Sequence, residues 1–160
     1  MAKRIDSQWA AQFSAGAELV RRRYSVAFFL GNEPRHDALV KCVWCGTSMA
    51  IQVKGFADPP PKDPERFGPW ILVGALAGGD PSDLFVVVHV PRPPEHFRYF
   101  IATRGELDAV KNPPPAKPRK KAGEPYSSKF SSDGVRWCDM RRFENAWDKL
   151  AHDCAASPNV

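Results

Sequence analysis

The chain lacks any long uninterrupted apolar run, and none approaches the roughly 20 residues that a membrane-spanning helix needs. Its first residues, MAKRIDSQWAAQF, contain no continuous apolar segment of the kind found in secretory signals. It also has no Gly-rich phosphate-binding loop and no GxSxG sequence. We therefore expect a cytoplasmic protein that has no membrane partner and uses neither of these two common catalytic motifs.

Cysteine is scarce, with four in the whole chain. Cys42 and Cys45 form a CxxC pair, but no second pair follows at the spacing of a zinc finger. The pair falls within a predicted strand pair, whereas thioredoxin-like motifs lie at the start of a helix. We therefore favour reduced thiols over a structural zinc site.

What the chain does contain is enough apolar sequence to fold. The 160 residues are 43% hydrophobic, which is typical of a globular protein and suits a single domain over residues 1–160. Lys and Arg number 23 against 18 Asp and Glu, a net charge of +5. This surplus favours polyanionic partners, although only weakly.

The first predicted element is a helix over residues 6–23, which no proline interrupts. Its apolar residues recur at spacings of three and four and predict one buried stripe: Trp9, Phe13, Gly16, Ala17 and Val20. Three arginines, residues 21–23, lie near its carboxyl end. These arginines either stabilise the helix by interacting with its dipole or contact a phosphate.

Several predicted strands follow the first helix. Their ranges are 25–30, a hairpin between Pro34 and Gly55 with Gly46 in its turn, 69–76, 84–90 and 98–103. The nearly continuous apolar run 84–90 predicts a central strand, and His89 within it is expected to be a core residue. Thr103 and Glu106 form a capping box for a short helix.

The carboxyl-terminal part predicts a strand in GVRWCDM and then a last helix over residues 140–153, capped by Asp139. Its expected buried stripe consists of Met140, Phe143, Trp147 and Leu150. The order of elements predicts an α/β fold with a mixed central β-sheet flanked by helices.

The hairpin carries the most informative polar residues. Gln52 and Lys54 are two apart on one strand, so their side chains point to the same face, and Ile51 and Val53 point to the other. Asp37 lies on the preceding strand. A carboxylate, an amide oxygen and an ammonium at one end of a hairpin would suit a divalent metal ion and a phosphate.

Glu18 in the first helix, Asp37 in the second strand and Gln52-Val53-Lys54 in the third resemble, in that order, the motif of the PD-(D/E)XK nuclease superfamily. Pro34, three residues before Asp37, matches as well. The resemblance implies a restriction-endonuclease-like fold and hydrolysis of DNA phosphodiester bonds with Mg²⁺ or Mn²⁺. Junction resolvases and restriction enzymes of this superfamily pair up, so it also implies a possible homodimer.

The resemblance further implies a role for each residue. Asp37 would be the main metal ligand, with the Gln52 amide oxygen and the Val53 carbonyl beside it. Glu18 would bind the metal directly or through water. Lys54 would hold the attacking hydroxide and stabilise developing charge.

Gln52 departs from the family pattern, which has an acidic residue there. An amide is a neutral and weaker ligand, so a non-catalytic nucleic-acid-binding module on the same fold is the alternative. A protein-interaction module is a third possibility. Asp37, Gln52 and Lys54 are also compatible with the solvent-facing side of an ordinary strand.

A basic, proline-rich loop spans residues 112–126. Its cations and one other arginine are the candidate contacts to a nucleic-acid backbone: Arg35, Lys117, Arg119, Lys120 and Lys121. A solvated loop without a partner explains the same composition equally well.

Overall fold

The computed structural model describes residues 2–29, 36–57, 79–112, 134–135 and 137–150. The elements are α1 Ala2–Arg21, β1 Tyr24–Phe28, β2 Ala38–Cys42, β3 Ser48–Phe56, β4 Leu84–His89, β5 Arg98–Thr103, α2 Arg104–Val110, β6 Lys111–Asn112, β7 Gly134–Val135 and α3 Trp137–Met140. Two 3-10 turns follow, Arg141–Phe143 and Trp147–Leu150. No helix in these ranges is both long and apolar enough to cross a membrane.

Strands β1 to β5 form one mixed sheet in chain order. Strands β3 and β4 run parallel, and the other neighbours run antiparallel. Strands β6 and β7 form a separate two-stranded pair. The predicted α/β class with a mixed sheet and helices is thus confirmed.

Helix α1 covers one face of the sheet through small side chains. Ala11, Ala15 and Leu19 are buried and pack in one apolar cluster with Ile51 and Val53 of β3. Alanines let the helix approach the strand closely. The face of β3 that carries Ile51 and Val53 is therefore the one that α1 covers, and the two side chains share a face as their alternation predicts.

The predicted apolar stripe of α1 was wrong except at Gly16, which is buried. Trp9, Phe13 and Val20 are 44%, 61% and 58% exposed, and Ala17 is exposed too. Trp9 stacks on Phe13, and Phe13 meets Phe28 of the edge strand edge-to-face. The small residues face the sheet, so these bulky ones are left along the side of the helix.

The opposite face of β4 and β5 carries a second apolar cluster, in which α2 and the carboxyl-terminal turns take part: Phe85, Val87, Phe100, Ala102, Leu107, Val135, Met140 and Phe143. Apolar clusters on both faces make β4 an interior strand, as its sequence predicts. His89 is buried at its end, also as predicted.

Local turn and cap chemistry agrees with the sequence. Gly46 has φ of 75° in the hairpin turn, a conformation that favours glycine. The Thr103 side chain accepts from the Glu106 N–H, and the Glu106 carboxylate accepts from the Thr103 N–H. The predicted strand 69–76 lies outside the described residues.

The last part of the chain departs from the prediction. Instead of a strand and one long helix, β7 is short and α3 and two 3-10 turns follow it. Asp139 lies inside α3, in its first turn, and pairs with Arg142, so it does not precede a helix as predicted. The helix is interrupted where Glu144 pairs with Phe100 of β5 and binds Arg98 through its carboxylate.

The predicted buried side chains of this segment are confirmed despite the different backbone: Met140, Phe143, Trp147 and Leu150. They do not form one stripe, because Met140 and Phe143 lie in the cluster of Phe85 and Val87 whereas Trp147 and Leu150 lie in the cluster that α1 covers.

Candidate active site

Asp37 immediately precedes β2 and continues the β2–β3 ladder beyond Ala38. Ala38 pairs with Ile51, and immediately before it the Asp37 N–H donates to the Ile51 carbonyl at 2.9 Å. The Asp37 Oδ2 atom accepts from the Val53 N–H at 2.7 Å. Asp37 therefore bonds to Ile51 and Val53, the residues on either side of Gln52. These hydrogen bonds hold the Asp37 carboxyl group against β3 beside Gln52.

Two glutamines of α1 complete the same region. Gln8 donates to the Val53 carbonyl at 2.8 Å and accepts from the Gly55 N–H at 3.1 Å. Gln12 donates to Asp37 Oδ1 at 3.0 Å. Neither glutamine was predicted from the sequence. The signal was their spacing of four, which places them on one side of the helix.

Each oxygen of the Asp37 carboxylate thus accepts one hydrogen bond. An ionised carboxylate has about four lone-pair positions, so Asp37 keeps acceptor capacity beyond these two bonds. The Val53 carbonyl likewise accepts one bond, from Gln8, and has a second lone pair. Neither group is saturated by its partners among the residues that the structure describes.

Gln52 is the most informative polar residue of β3. Its side chain is only 7% exposed, and its Oε1 atom is buried without a hydrogen-bond partner among the described residues. Leaving a buried acceptor unsatisfied costs about 1–3 kcal/mol, so such a group calls for an explanation. A bound cation or water would satisfy it.

Lys54 lies two residues further along β3 and is partly buried. Burial lowers its pKa, and the negative charge of Asp37 raises it by less, so the net pKa lies below the ordinary lysine value. No direct ion pair joins Lys54 to Asp37 in the described part of the chain. The ammonium of Lys54 is thus close enough to interact electrostatically with the Asp37 carboxylate, although the two groups do not form a direct ion pair.

Glu18 is not brought to this cluster. Its carboxylate binds Arg21 at 2.7 Å and Arg22 at 2.9 Å, both on or just after its own helix. It lies six residues beyond Gln12, which is about 9 Å along the helix axis. Gln12 is therefore the α1 residue that reaches Asp37, and two of the three arginines after it serve to hold Glu18.

A buried arginine lies beside the site and was not foreseen. Arg104, at the start of α2, binds Asp83 through two nitrogens at 3.0 and 3.2 Å and lies over the ring of Phe85. Phe85 is the neighbour of Gln52 in the parallel ladder. Asp83 lies immediately before β4 and binds Arg104, and its Oδ1 atom lies 4.0 Å from His36 Nε2.

The remaining predicted contacts are not among the described residues: Arg35, Lys117, Arg119, Lys120 and Lys121. Within the described ranges, no group of three or more His, Cys, Asp or Glu side chains is placed to hold a metal ion. Any cation here would therefore rely on Asp37 together with amide and carbonyl oxygens.

Comparison of the chain with protein-family models, with curated proteins and with solved structures gave no match. What the site does is therefore argued from its geometry and its chemistry.

Proposed function

We propose that the protein is a metal-dependent endonuclease of the PD-(D/E)XK type that hydrolyses DNA phosphodiester bonds. The observation that carries the proposal is the buried Oε1 atom of Gln52, which has no hydrogen-bond partner in the part of the chain that the structure describes. This oxygen belongs to the residue that Asp37 brackets on β3, two positions before Lys54. The order of helix, strands and site residues supports a restriction-endonuclease-like fold.

The donor set suits Mg²⁺ or Mn²⁺. Asp37 supplies a carboxylate oxygen, Gln52 an amide oxygen and Val53 a main-chain carbonyl, all hard ligands of the kind these ions prefer. Bound there, the ion would polarise the phosphate and lower the pKa of a water molecule. Glu18 is left out of the set because the two arginines hold its carboxylate.

Lys54 supplies the positive charge of the site. A cation fixed beside the scissile phosphate stabilises the charge that develops on its oxygens. Partial burial strengthens that interaction because water screens it less. The net charge of +5 favours the approach of a polyanionic substrate.

Nicking of supercoiled plasmid DNA with Mg²⁺ or Mn²⁺ tests the proposal. We expect Asp37→Ala to slow nicking by about 100-fold or more, because the loss of a metal site removes several kcal/mol of transition-state stabilisation. Asp108→Asn is the matched control, since Asp108 is an exposed carboxylate on α2 that pairs with Lys111. Equal nicking by the wild type and Asp37→Ala would refute the assignment.

The second candidate is a non-catalytic nucleic-acid-binding module on the same fold. The observation that favours it is the single carboxylate of the site, with no acidic cluster in the described ranges. It predicts salt-sensitive DNA binding without cleavage. Neutralising Lys117, Arg119, Lys120 and Lys121 together should then reduce the slope of log affinity against log salt.

A further inference from the structure

We infer that Gln12 is a positioning residue that fixes the orientation of the Asp37 carboxylate for the cation. The inference rests on the proposed metal site. Gln12 lies on α1 and is not one of the residues of the PD-(D/E)XK motif.

The geometry gives Gln12 this role. The Val53 N–H holds Asp37 Oδ2 at 2.7 Å, and the Gln12 amide holds Oδ1 at 3.0 Å. One donor on each oxygen prevents the carboxylate from rotating about its terminal bond. The lone pairs that remain then have fixed directions, which is how hydrogen-bonded neighbours of metal ligands raise affinity.

The chemistry of the amide suits the task. A lysine or arginine at position 12 would neutralise Asp37 and repel a cation, and a carboxylate would repel Asp37 itself. The glutamine amide donates a hydrogen bond without adding charge. Gln12 therefore does not neutralise the negative charge of Asp37, which remains available to attract the ion.

The donor is also held in place by its helix. One turn earlier, Gln8 binds the Val53 carbonyl and the Gly55 N–H. A Cβ atom added at Gly55 would lie 2.5 Å from the Ser7 carbonyl oxygen, which shows how closely α1 approaches β3. Because α1 is fixed to β3, Gln12 is positioned before any ion binds.

Titration of the purified protein with Mn²⁺, followed by electron paramagnetic resonance, tests the inference. We expect Gln12→Met, which keeps the length but removes the donor, to weaken Mn²⁺ binding by about 10–100-fold. Ser14→Ala is the matched control, because Ser14 lies on the same helix and its hydroxyl donates to the Ala11 carbonyl of that helix. Its Mn²⁺ affinity should stay within about twofold of the wild type.

The outcomes separate the two proposals. If Asp37→Ala abolishes Mn²⁺ binding while Gln12→Met binds like the wild type, the positioning role is overturned and the metal site stands. If the wild type binds no Mn²⁺, or Asp37→Ala binds as well as the wild type, both proposals fail. Circular dichroism confirms folding, and Gln12→Asn, which keeps the amide but shortens its reach, replaces Gln12→Met if that variant misfolds.

Discussion

Gly55→Ala is expected to destabilise the protein, because α1 passes directly over this position of β3. The new Cβ would lie 2.5 Å from the Ser7 carbonyl oxygen and 2.7 Å from the Ala11 Cβ, whereas ordinary contacts begin at 3.4 Å. One of these partners is main chain of a helix, so no side-chain rotation relieves the clash. The helix has to move away by about 1 Å.

Overpacking of this kind costs about 1–3 kcal/mol. For a chain of this size each kcal/mol lowers the melting temperature by about 2–4 °C, so a fall of about 2–12 °C is expected. The same movement lengthens the hydrogen bonds of Gln8 to Val53 and Gly55 and of Gln12 to Asp37. Mn²⁺ affinity should therefore fall together with stability.

Differential scanning calorimetry and urea unfolding measure the effect, and Gly105→Ala is the control. Its Cβ would lie 3.3 Å from the Pro81 carbonyl oxygen, a tight contact that a small shift relieves, and alanine favours the helix there. An unchanged melting temperature and urea midpoint for Gly55→Ala would show that α1 does not lie against β3 as described.

Four further changes test the site and its surroundings. Gln52→Glu adds a second carboxylate, so Mg²⁺ affinity should rise in calorimetric titration while stability without metal falls, because a buried charge is costly; a stabler metal-free variant would contradict this. Lys54→Met should abolish nicking yet unfold at a higher urea concentration at pH 7. Its advantage should shrink as pH rises through the lowered pKa of Lys54 towards 10.5, because the native lysine then sheds its buried charge. Thr103→Ala removes a helix cap and should cost about 1 kcal/mol in urea unfolding. Burial raises the pKa of Glu106, but hydrogen bonds from Lys149 and Thr103 lower it more. Glu106→Gln should therefore lose its destabilising effect as pH falls through that lowered pKa, and an effect independent of acid pH would contradict the pairing.

The parts that the sequence predicted correctly are those set by local chemistry. Alternation along β3 separates Ile51 and Val53 from the polar residues between and after them. Gly46 adopts a positive φ that few other residues tolerate. Thr103 and Glu106 are of the few residue types that form a capping box. Each of these features depends on a handful of neighbouring residues, so pattern alone is enough.

The parts that it missed depend on distant contacts. The rotation of α1 is decided by how closely alanines let it approach Gly55, which hydrophobic spacing does not reveal. Gln8 and Gln12 can bind Val53 and Asp37 because β2 does not pair with β3 beyond Ile51. The last helix is interrupted because Glu144 pairs with Phe100, more than forty residues earlier in the chain.

Beyond Ile51, side chains and not a neighbouring strand bind the main chain of β3 along its β2 edge. The amide protons of Val53 and Gly55 are bound by Asp37 and Gln8, and a rotamer change in either side chain releases one of them. Amides within the β4–β5 ladder are freed only by larger openings. Hydrogen–deuterium exchange should therefore begin at Val53 and Gly55 earlier than in the rest of the sheet interior, and a bound cation that immobilises Asp37 should slow exchange at Val53 first.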